Sequence, residues 1–98
     1  MIMFGLDDRT IQSIRSIFKK HKGIKEVKVF GSRALGTHRA NSDIDLALFG
    51  QIDWELTRRV QSQLDVLSTP YKFDVISYSL IEHPPLKEHI DRVGKVFK

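Results

Sequence analysis

Val27-Lys28-Val29-Phe30-Gly31-Ser32-Arg33-Ala34-Leu35-Gly36-Thr37-His38-Arg39-Ala40-Asn41-Ser42-Asp43-Ile44-Asp45-Leu46-Ala47-Leu48 is the stretch on which the reading of this chain turns. An apolar strand, Val27 to Phe30, stops abruptly at Gly31-Ser32. Small and polar residues follow, and a second strand opens with two aspartates. Side chains alternate faces along a strand, so Asp43 and Asp45 point one way while Ile44 and Leu46 point into the core. Two strand rises put the aspartate Cα atoms roughly 6.6 Å apart. At an effective dielectric near 20, such charges repel by about 2.5 kcal/mol. A nearby Lys or Arg can balance them, and so can a hard divalent cation, because Mg²⁺ favours carboxylate and phosphate oxygens.

A third acidic residue lies inside another apolar run, Tyr71-Lys72-Phe73-Asp74-Val75-Ile76. Asp74 joins the first pair if its strand lies beside theirs. Gly31 permits a sharp turn and close backbone approach. Ser32 to Leu35 then reads as a short helix ended by Gly36 at a C′ position. The N-terminus of a helix attracts phosphate, to which Ser32 adds a hydroxyl and Arg33 a bidentate fork. Together, a glycine-serine turn facing three strand carboxylates points to a site for a metal-bound nucleoside triphosphate.

The order apolar-Gly-Ser, about ten residues, Asp-apolar-Asp and a later strand Asp resembles the DNA polymerase β-like nucleotidyltransferase superfamily. Within it, Phe30-Gly31-Ser32-Arg33-Ala34-Leu35-Gly36 and Asn41-Ser42-Asp43-Ile44-Asp45-Leu46-Ala47 are most similar to the minimal nucleotidyltransferases, small antitoxins encoded beside HEPN-domain toxins. Leu35 stands where many relatives carry a second arginine. The resemblance spans essentially the full chain and implies an α/β (α+β) fold, a small mixed sheet flanked by helices. It implies that Gly31 and Ser32 hold the triphosphate of ATP, with Arg33 and Ser42 as further nucleotide contacts. Asp43, Asp45 and Asp74 would then be both the catalytic residues and the ligands of Mg²⁺, two ions in all. Asp74 would help to activate the attacking hydroxyl. The implied acceptor is a tyrosine of a cognate HEPN toxin, and the implied assembly a hetero-oligomer with it. A binding-only antitoxin, and transfer to RNA or a small molecule, are the other functions in play.

The remainder of the chain sets bounds. Ninety-eight residues, 41% hydrophobic and 29% charged, fit a single globular domain over 1–98. No long apolar run marks a membrane span and no leader pattern marks export. The chain has no cysteine, in keeping with a reducing cytoplasm. Net charge is +4, with Lys19, Lys20, Lys22, Lys25 and Lys28 gathered between the first helix and first strand. They read as a solvated, dipole-compensating helix end or as an attractor of anions. No aromatic residues interleave with them, so a stacking platform for single-stranded nucleic acid is not indicated.

Residues 7–21 are expected to form a helix with Ile11, Ile14, Ile17 and Phe18 as its apolar stripe. Residues 53–67 form another, with Leu56, Val60, Leu64 and Leu67 inward and Trp54 packed. Pro84-Pro85 opens a last helix carrying Leu86, Ile90 and Val93. Beyond it, Val96 and Phe97 add an edge strand or meet a partner. His21, His38, His83 and His89 show no metal-binding spacing and are read as surface residues; His38 and Arg39 sit in a loop that either overhangs the nucleotide or stays exposed.

Overall fold

Asp7 accepts a hydrogen bond from the Thr10 amide at 2.8 Å and so caps the first helix. The computed structural model describes residues 3–97. That helix, α1 (Asp8–Lys19), buries the expected stripe of Ile11, Ile14, Ile17 and Phe18. It ends two residues before the expected boundary, where the Lys20 amide donates to the Ile17 carbonyl and winds up the last turn. Strand β1 (Ile24–Phe30) begins earlier than expected, since Lys25, Glu26 and Lys28 hide its alternation behind charge. A bulge between Ile24 and Glu26 also breaks the period. The helical turn α2 (Ser32–Leu35) has the expected limits, and Gly36 ends it with φ +77°.

Strand β2 (Ile44–Gly50) leads into α3 (Trp54–Asp65), capped by Asp53. Strand β3 (Phe73–Ser77), a 3-10 turn (Tyr78–Leu80), α4 (Pro84–Val93) and the short strand β4 (Lys95–Val96) complete the chain. Among the described residues four strands form a mixed sheet in the order β3-β2-β1-β4. β1 runs antiparallel to both β2 and β4, whereas β2 and β3 are parallel and joined through α3. This is a small α+β fold, a mixed sheet flanked by helices, as the resemblance implied.

Alternation divides the sheet into two unlike faces. On one face Val27, Val29, Ile44, Leu46, Leu48, Phe73 and Val75 pack against α1 and α3 through Ile14, Phe18, Val60 and Leu64. The other face is covered more sparsely, by Ile90 of α4 over Phe30 and Ala47, with Phe49, Ile76 and Leu86 at the margin. Phe97 turns inward. Its amide donates to the Val27 carbonyl at 2.7 Å and its ring meets Phe18 edge to face. The terminal segment is therefore both an edge strand and a core element.

Trp54 is 63% exposed, contrary to the expectation that it packs. The inward stripe of α3 passes through Leu56, Val60 and Leu64, and Trp54 lies two residues, about 200°, away from Leu56 around the helix. It borders instead a groove lined by Val75, Ile76, Ile81 and Leu86. Among the described residues no helix is long and apolar enough to cross a membrane.

Candidate active site

The open face of the sheet carries a row of residues in direct register. Phe30 on β1 faces Asp45 on β2, and Asp45 faces Asp74 on β3. Asp43 precedes Ile44 at the entrance to β2 and is exposed, as is Asp74; Asp45 between them is half-buried. Asp45 and Asp74 are thus brought side by side, and Asp43 lies near enough to act on Asp45 through its charge. The parallel pairing of β2 and β3 does this, because it aligns two aspartates that lie 29 positions apart in sequence.

Electrostatics mark Asp45 as the strained member. Its carboxyl is pushed up to about 6, first by burial and then by the charges of Asp74 and Asp43. His89 and Arg33 pull the other way without cancelling the effect. Among the described residues no three His, Asp or Glu side chains are gathered into a ready-made metal cage. The donor set nonetheless suits a hard cation: oxygen-only carboxylates, and a central one holding negative charge against its preference. Mg²⁺ ordinarily takes one or two carboxylates and completes its octahedron with phosphate and water.

Gly31 sits directly against this row. Its φ of +72° is open to glycine, and a Cβ there would strike the Asp45 carboxylate. The Gly31 carbonyl accepts from the Leu35 amide and so starts α2, while the Gly31 amide is engaged by another element. That amide donates to Nε2 of His89 at 3.2 Å. His89, on α4, also sets its ring edge-on to Phe30 at 6.1 Å. The reading of His89 as a mere surface residue is therefore corrected: it is a half-buried neighbour of the turn and of Asp45. No local motif announces it, because α4 reaches the turn only through the folded sheet.

Arg33 is the largest departure. Expected to offer its fork to phosphate, it is 3% exposed and spends its donors on backbone carbonyls. Nη1 donates to Phe4 at 2.8 Å, Nη2 to Ser42 at 3.0 Å and to Ala40 at 3.4 Å, and Nε to Ser42 at 3.3 Å. The guanidinium also lies over the Tyr71 ring at 5.0 Å. Burial lowers its pKa from the ordinary value, opposed by Tyr71 and Asp45. The fork grips the loop before Asp43 rather than the Gly31-Ser32 turn. Position alone made it look like a phosphate ligand; α2 directs the next residue after Ser32 inward.

Ser42 plays a matching part. Its Oγ accepts from the Arg39 amide at 2.8 Å, and its own amide donates to the Arg39 carbonyl at 3.0 Å. A closed turn thus fixes where the chain releases Asp43. Ser32 is half-buried at the start of α2. Arg39 is exposed, whereas His38 turns toward Gly5 and Arg33, with a buried Nδ1 that has no hydrogen-bond partner.

Structural similarity extends over 90% of the chain to the crystal structure of a toxin-antitoxin with AMP-PNP, at TM-score 0.67 and 24% identity, covering 72% of that chain. A tri-AMPylated Shewanella oneidensis HEPN toxin in complex with MNT antitoxin matches at TM-score 0.62 and 19% identity, over 95% of this chain and 72% of that one. A protein assigned as a minimal nucleotidyltransferase matches at TM-score 0.62 and 23% identity, over 96% and 95%. No curated protein sequence matches. The family model for polymerase beta nucleotidyltransferases matches residues 12–98, and on that extent the chain belongs to the polymerase beta nucleotidyltransferase family.

Proposed function

We propose that this protein is an antitoxin that transfers AMP from ATP to a hydroxyl, that of a tyrosine, on a cognate HEPN-type toxin, breaking the α–β phosphoanhydride bond and releasing pyrophosphate, and thereby neutralises it. The observation that carries the reading is the register Asp45–Asp74 beside the Gly31 turn, with Asp43 at the strand entrance. Nothing in the packing of an ordinary core requires like charges in adjacent positions of a sheet. The similarity to structures of a toxin-antitoxin with AMP-PNP and of a tri-AMPylated HEPN toxin with its antitoxin supports the choice of donor and acceptor.

Asp43, Asp45 and Asp74 would hold Mg²⁺, which supplies charge stabilisation to the triphosphate when bound. The chain's own contributions follow from the site. Gly31 and Ser32 would hold the triphosphate, Ser32 through its hydroxyl, and the Gly31 amide would reach a phosphate oxygen by exchanging Nε2 of His89 for it. Asp74, at the exposed end of the row, accepts the proton of the attacking hydroxyl or aligns its lone pair. Arg33 and Ser42 hold the loop that presents Asp43. Reaction at such a site is mostly positioning and electrostatics, so loss of a carboxylate should cost rate and spare the fold. Residues 1–98 would act as one domain, in the cytoplasm, in complex with the toxin.

Intact-mass measurement of the protein that co-purifies with this chain tests the proposal, native chain against an Asp43→Asn, Asp45→Asn double variant. A partner heavier by one or more AMP units only with the native chain is the expected result. An unmodified partner held equally by both would overturn the enzymatic reading and leave a binding-only antitoxin.

A further inference from the structure

Strand β3 is an edge strand, because among the described residues β2 is its one neighbour in the sheet. Its outward backbone groups would ordinarily be left to water or to another strand. Around Asp74 they are taken by a single side chain, Gln61 of α3. Oε1 of Gln61 accepts from the Val75 amide at 2.9 Å, and Nε2 donates to the Phe73 carbonyl at 2.7 Å. Nε2 donates also to Asp65 on the next helical turn, at 3.0 Å.

The amide thus imitates a missing strand over the residues that flank Asp74. Its orientation is unique: a flip would set its NH₂ against the Val75 N–H and its oxygen against the Phe73 carbonyl. Asp74 itself faces the other way and pairs with Asp45 of β2. Backbone on both sides of Asp74 is accordingly held, to β2 within the sheet and to α3 from outside it. Without Gln61 the edge strand would be tied at this point from one side alone.

We infer that Gln61 is a positioning residue for Asp74, fixing the edge strand so that the carboxylate stays in line with Asp45 during transfer. The inference rests on the role given to Asp74 above. Binding of the triphosphate falls mainly to Gly31, Ser32, Asp43 and Asp45, none of which Gln61 touches. Loosening β3 should therefore slow transfer while leaving nucleotide affinity in place.

The decisive variant is Gln61→Met, which keeps the shape and loses both backbone hydrogen bonds. It is compared with native protein and with Ser62→Ala, an exposed control on the same helix. The acceptor is the partner protein identified by the mass experiment, the donor ATP. Expected is a kcat lower by about tenfold with KM for ATP within about twofold, as a small misplacement of a catalytic group gives. Hydrogen exchange in the free chain should show the Val75 amide released by Gln61→Met and unchanged by Ser62→Ala. Should Gln61→Met fail to fold, Gln61→Glu serves: it keeps the acceptor for Val75, repels the Phe73 carbonyl and should show a smaller loss of kcat. A released Val75 amide with native kcat would overturn the inference, as would a rise in KM at unchanged kcat. Absence of transfer by the native chain would instead overturn the function on which the inference rests, and the inference with it.

Discussion

The two faces of the sheet are made by the same strands and obey opposite rules. Leu46 and Asp45 are neighbours in sequence, yet Leu46 is fully buried beneath α1 and α3 while Asp45 stands half-buried beside two other carboxylates. One face lowers the free energy of folding by excluding water. The other keeps charge together at a cost that folding alone does not recover. Strand alternation lets a chain of this size do both within a few residues, because the pleat insulates one face from the other.

The contrast is broken most strongly at its active side. On the function proposed above, Asp45→Asn should lower AMP transfer by about a thousandfold, the scale of losing one preorganised electrostatic group. Radiolabelled transfer from ATP to the co-purified partner measures it, and retention of most of the rate would remove Asp45 from the chemistry. On the packed side, Leu46→Ala should lower unfolding free energy by about 3 kcal/mol through the cavity it leaves. Denaturant unfolding measures that loss, and the folded fraction should still transfer AMP.

Arg33 tests whether the loop belongs with the site or with the scaffold. Arg33→Met should cost about 2 kcal/mol, since the carbonyls of Phe4, Ala40 and Ser42 lose a charged donor. Limited proteolysis should then cut in the 37–42 loop; a lost affinity for ATP without lost stability would return Arg33 to the phosphate.

The smallest effect has the opposite sign. The Asp45 carboxyl is raised to about 6 from an ordinary 3.8. Between those values the folded chain holds a proton that the unfolded chain has released, so stability falls as pH rises through the interval. The penalty is complete above pH about 6 and gone below about 4. Asp45→Asn should therefore stabilise the metal-free protein by about 1–2 kcal/mol at pH 7.5, allowing for partial solvent screening. Thermal melts at pH 7.5 and pH 4 would show the gain and its disappearance; a destabilised variant at pH 7.5 would mean that Asp45 is held by a partner.

Short-range physics was legible in the sequence. Period-two alternation put Asp45 opposite in facing to Ile44 and Leu46, and glycine at Gly31 and Gly36 set the limits of α2. The stripes of α1 and α3 followed from helical spacing. These features depend on a residue and its near neighbours, so the amino-acid order carries them. Fold membership, too, could be recognised from the spacing of Gly31-Ser32, Asp43-Ile44-Asp45 and Asp74.

Tertiary structure decided everything that joins distant segments. Parallel pairing of β2 with β3 aligned Asp45 with Asp74, a choice of neighbour and register that alternation within each strand leaves open. The same folding brought His89 to the Gly31 amide and Gln61 to the edge of β3. It also turned Arg33 inward, where carbonyls of Phe4 and of the loop at 40–42 took its donors. A side chain's type limits what it can bind, but its partner is set by which backbone groups the packed chain leaves within reach.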